Sequence, residues 1–213
     1  MSWNNRMRSD LKEHLSLYVF VSVLLVMGVV FGALMVNALS AEQKQELSRH
    51  LSSFVQMINQ GTDMGGQASF KQAFFMHLKW ILLIWMLGLS IVGLPFIFLL
   101  DFLKGVLVGF SVGVLVGEMS WKGMLFALVS VAPQNLIIIP AIMVCSVSAI
   151  SFSIYLIKNR FLQKKGALYQ PFVRFSSVTL GMIALLFGVS LFEAYLSPAL
   201  MQWVTPMLSA LAE

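Results

Sequence analysis

Few residues in this chain have a claim to chemistry, and those few sit among long apolar runs. Pro133, Gln134 and Asn135 interrupt one of them. Proline removes a backbone donor and clashes with the preceding turn, and the two amides stand where hydrocarbon is expected. A helix broken this way offers amide groups to an ion or polar ligand, as broken helices do in transporters. The alternative use of the amides is to satisfy the backbone groups that Pro133 frees. Glu193 lies near the outer end of the last apolar run, and an ionisable residue inside a span is a functional candidate by default. Asp101 and Lys104, three apart where another run stops, are placed to form a local ion pair at a helix end on the cytoplasmic face.

No nucleophile with its base, no pair of carboxylates in a common site and no metal-ligand spacing is visible. His14, His50 and His77 flank apolar runs and suit an interfacial role. The reading is therefore of a protein without catalytic, cofactor-binding or metal-binding residues. Gly105, Gly109, Gly113 and Gly117 recur every fourth residue, with no GK[ST] to make a phosphate loop. That spacing lines one helix face with glycine and lets another backbone come close. The face serves contacts within the chain or between two copies of a homodimer.

The elements that carry these residues follow from composition. Of 213 residues, 59% are hydrophobic and 11% charged, with a mean hydropathy of +0.86. A water-soluble fold cannot hide that much apolar surface, so the chain reads as an all-α, polytopic integral membrane protein in a single domain, residues 1–213. The net charge of +5 falls between the apolar runs, where it reports topology rather than nucleic-acid binding. The lone Cys145 excludes an intramolecular disulfide.

Crossing a bilayer takes about 20 apolar residues in a helix. The runs Leu15 to Val36, Leu78 to Leu100, Gly105 to Gly117, Leu136 to Ile157 and Phe175 to Leu196 give five spans, the third one short. Gly123 to Ile157 is too long for one span and too short for two, so Gly123 to Ala132 reads as a re-entrant half-helix. Arg6, Arg8 and Lys12 precede the first span, and Lys158, Arg160, Lys164 and Lys165 follow the fourth. The positive-inside rule then places the amino terminus in the cytoplasm and the carboxyl terminus outside.

Residues 37–77 form the one sizeable loop, assigned to the extracytoplasmic side. Within it Leu47, Leu51, Phe54 and Ile58 share one helical face, a candidate surface for a partner protein or the bilayer. Residues 198–213 form a second, amphipathic outer segment.

Three blocks resemble a known family in order and spacing: Leu-Gly-Leu-Ser-Ile-Val-Gly-Leu-Pro at 87–95, Phe-Leu-Lys-Gly with Val-Gly-Phe-Ser-Val-Gly at 102–113, and Ser-Val-Ala-Pro-Gln-Asn-Leu-Ile-Ile-Ile-Pro-Ala at 130–141. Together they resemble the stage II sporulation protein M family. In that family the break usually reads Pro-His-Gly, with a Glu before Leu-Pro-Ala. This chain carries Gln134, Asn135 and Ile138 at those positions, which favours structure over transport. The resemblance implies a non-enzymatic scaffold in the mother-cell membrane at the sporulation septum. It also implies two partners, stage II sporulation proteins D and P, peptidoglycan hydrolases acting in engulfment. The rival expectation is a small transporter or channel using the broken helix.

Overall fold

The computed structural model describes the backbone of residues 3–59, 66–162 and 168–210, and the side chains of most residues between 15 and 195. Every described element is helical. α1 spans Trp3–Met35 and ends in a 3-10 turn, Val36–Ala38. α2 is Ala41–Asn59, α3 is Gly66–Gly88, α4 is Gly93–Ser130, and α5 is Ala132–Leu156, closed by a π-helical turn at Ile157–Leu162. α6 is Tyr169–Ala210. Among the described residues, five stretches are long and apolar enough to cross a membrane: Leu15–Ala38, Ser69–Gly88, Gly93–Gly117, Ala132–Asn159 and Tyr169–Tyr195.

The exposed surface identifies the solvent. Val19, Val23, Val26, Val30 and Leu34 form an outward stripe on α1, and Phe96, Leu99, Leu103 and Leu107 another on α4, at helical spacing. Water would expel such stripes, whereas lipid tails solvate them. Because lipid is as apolar as leucine, helices in a bilayer associate through close packing and polar ties. The interior core is accordingly thin: Val21, Leu25, Ile81, Ile84, Ile97, Ile138, Ile142, Ile150 and Leu186 meet where the spans converge.

α1 and α4 make the closest approach. A methyl group added at Gly28 would overlap the carbonyl oxygen of Phe102, one at Gly105 that of Leu25, and one at Gly109 that of Val29. Gly113 lies against Ala33 and Val36, and Gly117 is in ordinary contact with Val36. Contacts advance along both helices together, so α1 and α4 run parallel. Gly105, Gly109 and Gly113 are thus occupied within the chain, against a matching Gly28 and Gly32 that the sequence reading passed over.

The second and third spans require a correction. The sequence predicts that the second run ends at Asp101, with a turn through Lys104. The chain turns earlier, between Gly88 and Gly93. A methyl at Gly93 would overlap the Leu87 carbonyl oxygen, and the tight reversal is closed by Ser90 N–H to Leu87 O at 3.0 Å and Gly93 N–H to Ser90 O at 3.2 Å. Ser153 of α5, fully buried, donates to the Gly88 carbonyl at 2.8 Å and faces that of Ser90 at 3.3 Å, satisfying acceptors that the turn frees. Pro95 falls in the first turn of α4, where a missing N–H costs nothing. The second span therefore begins at Ser69, the 37–77 loop is shorter than expected, and His77 lies inside a span.

At the far end of the third span the chain folds back. Along a straight helix Leu115 and Gly123 would be about 12 Å apart, yet a methyl at Gly123 would overlap the Leu115 carbonyl oxygen. Phe126 and Ala127 pack on Leu115 and Val112. Residues 123–130 are thus a short helical segment returning along the end of the third span, as the half-helix reading expects. Val131 breaks the path, and Pro133 occupies the first turn of α5, so the fourth span starts at Ala132 rather than Leu136.

Candidate functional site

The corrected turn moves Asp101 and Lys104 from a helix end into the middle of the third span. Both are buried, Asp101 completely. They do not pair with each other as a helix-end reading predicts. Asp101 Oδ1 accepts from the Ser146 hydroxyl of α5 at 2.7 Å, while its Oδ2 has no partner among the described residues. Lys104 places its ammonium 5.7 Å from the ring centroid of Trp80 on α3, a cation–π arrangement.

Glu193 is paired rather than free at an interface. Its Oε2 is 2.9 Å from His77 Nε2, joining α6 to α3. The other ring nitrogen, His77 Nδ1, is buried and without a partner among the described residues. His77, Trp80, Lys104 and Glu193 thus tie three spans, and Asp101 with Ser146 adds a fourth. Further ties are Trp85 Nε1–H to Ser176 Oγ at 3.4 Å between α3 and α6, a long contact from Ser22 Oγ to Met143 Sδ at 4.0 Å between α1 and α5, and the Ser153 bond from α5 to the end of α3.

The other sequence candidates lie elsewhere. Asn135 donates its side-chain amide to the Val131 carbonyl at 2.8 Å, and its backbone N–H faces the same oxygen at 3.3 Å. That is the local satisfaction of a broken helix. Pro133 and Gln134 are half-buried beside it, and Ile138, where the family pattern has Glu, is in the core. Leu51 packs against the cluster of Leu115, Phe126 and Ala127, which brings α2 to the folded-back segment, and α2 also lies against α6. Leu47 is half-buried, and the side chains of Phe54 and Ile58 lie outside those described. The flank of α2 carrying Glu42, Glu46, Arg49 and His50 is exposed. Residues 198–210 of the carboxyl-terminal segment continue α6 as helix, with side chains outside those described.

Hydropathy hid the polar network because it reads a charge as a membrane edge. The available signal was the glycine pair Gly88 and Gly93 with Pro95, which marks a turn twelve or so residues before Lys104.

Five spans closed by glycine packing and by polar ties define a multi-pass helical membrane protein in which Asp101, Lys104 and Glu193 hold helices together. The family model of stage II sporulation protein M matches residues 21–198, and the chain belongs to that family of sporulation membrane proteins. No curated protein and no solved structure gives a significant match.

Proposed function

We propose that the protein is a non-enzymatic membrane scaffold that recruits peptidoglycan hydrolases, stage II sporulation proteins D and P, for septal wall remodelling during engulfment. Family membership over residues 21–198 carries this reading. The geometry supports it in two ways. The spans are tied by polar contacts in at least four directions, which suits a rigid platform. α2 is seated on that platform through Leu51 and presents an exposed charged flank, Glu42, Glu46, Arg49 and His50, to its surroundings. In this reading the apolar residues around Leu51 orient α2, and the flank beside them meets the partner.

Affinity capture of the intact complex from sporulating cells tests the proposal. The parent protein retains both hydrolases. Leu51→Glu puts a charge against Leu115 and Phe126, unseats α2 and lowers their recovery severalfold, while membrane insertion is unchanged. Equal recovery with Leu51→Glu overturns the assignment of α2.

A second reading is transport, and the observation favouring it is the pair of unpartnered buried atoms, Asp101 Oδ2 and His77 Nδ1. Buried ionisable groups facing a bundle interior mark ion and proton paths in many membrane proteins. The candidate path thus runs through the third span rather than through Pro133, Gln134 and Asn135.

A further inference from the structure

A cleft of about 790 Å3 opens between α1, α5 and α6 and belongs to neither the polar network nor α2. It sits at one end of the bundle. Tyr18 is near the start of the first span, Tyr155 near the end of the fourth, and Gln170 and Arg174 near the start of the fifth. Its volume is in the range of ligand pockets, roughly 300–1,000 Å3.

The lining is divided by chemistry. Tyr18, Tyr155, Gln170 and Arg174 bring hydroxyl, amide and guanidinium groups to it, whereas Phe152, Phe175 and Val178 are apolar. Phe152 and Phe175 are buried, with rings stacked at 5.2 Å between centroids, so that wall is preformed. Arg174 is exposed, and among the described residues no carboxylate lies within ion-pair distance of it. Lys158, also exposed, adds positive potential at the same end. A guanidinium with free donors matches a phosphate bidentately, and a wall of aromatic and branched carbon matches an acyl chain. A small soluble anion would leave that wall uncovered, whereas an amphiphile with an anionic head covers both halves. Basic pockets between membrane helices take anionic lipid head groups on these grounds.

We propose that this cleft binds one anionic glycerophospholipid, its phosphate on Arg174 and one acyl chain across Phe152, Phe175 and Val178. The lipid fastens α6 to α1 and α5 at the membrane surface.

The full chain, purified in mild detergent and stripped of lipid, is titrated with phosphatidylglycerol, phosphatidylcholine and soluble glycerol 3-phosphate, with bound molecules counted by native mass spectrometry. One phosphatidylglycerol is retained per protein, and the other two ligands bind more weakly. Arg174→Gln weakens retention roughly tenfold, the loss expected for hydrogen bonds to a charged group. Arg174→Lys falls between the two, and Val178→Trp, which fills the cleft from its apolar side, weakens retention without altering charge. Circular dichroism identifies the variants that remain folded. Equal retention of phosphatidylcholine, or no change in either folded Arg174→Gln or folded Val178→Trp, overturns the proposal. Glycerol 3-phosphate binding as tightly as the lipid reassigns the cleft to a soluble phosphate ester and also overturns it. The readout involves no hydrolase, so its failure is separate from failure of the scaffold reading.

Discussion

Asp101 shows what a single buried side chain costs and returns. Placing a carboxylate at the centre of a span is unfavourable by about 2.5–3.5 kcal/mol on insertion scales, and the Ser146 hydroxyl offsets only part of that through one short bond. Asp101→Asn keeps an oxygen for Ser146 and removes the charge, so the variant should melt in detergent close to the parent. Asp101→Ala strands Ser146 in the core and should lose about 1–2 kcal/mol, the range of interhelical hydrogen bonds in lipid. The same pair separates structure from transport. If proteoliposomes carry proton or solute flux that vanishes with folded Asp101→Asn, the transport reading stands. If flux equals that of empty vesicles, Asp101 is a tie between helices. None of this was legible in the sequence, where one charge three residues from another at the end of an apolar run is indistinguishable from a membrane edge. The partners Ser146, His77 and Trp80 are distant in the chain, and no local pattern announces them.

Helices and their packing faces were more legible, because period and composition are local properties. The number of spans, a short helical segment before Pro133 and the glycine face of α4 all follow from spacing, and the structure has each of them. The boundaries of the second and third spans did not follow: Gly88 and Gly93 make a buried turn whose acceptors are satisfied by Ser153, far along the chain. The glycine face also lacked its partner until Gly28 and Gly32 were seen against it. Its consequence is testable at this scale. Gly109→Val adds atoms where the Val29 carbonyl already lies, so α1 and α4 must separate, and overpacking of this kind costs about 1–3 kcal/mol. Gly181, with nothing within 4 Å of where its Cβ would be, supplies the comparison. Gly181→Ala should leave the melting temperature in detergent unchanged or slightly raised, while Gly109→Val lowers it by several degrees. Equal melting of the two would mean that α1 and α4 are not in contact through their glycines.

For the molecule as a whole, five crossings would put the two ends of the bundle on opposite sides of the membrane, and the positive-inside rule predicts the amino-terminal end in the cytoplasm. The scaffold reading depends on that orientation, since α2 reaches wall hydrolases only if it faces outward. The chain supplies its own clean background for deciding it. Cys145 is the single cysteine in the sequence and is 1% exposed, so a membrane-impermeant maleimide should leave the parent unlabelled. Glu46→Cys on the exposed flank of α2 should label in intact cells, and Lys158→Cys, exposed at the last turn of the fourth span, only after the membrane is permeabilised. These two sites are separated by three spans, so they must report opposite sides if the second, third and fourth spans all cross. Labelling of both in intact cells would mean that one of those spans fails to cross, with the short turn at 89–92 the first place to look. The reverse pattern would keep the bundle but turn α2 into the cytoplasm, where no peptidoglycan hydrolase could meet it, and the scaffold proposal would fall with the orientation.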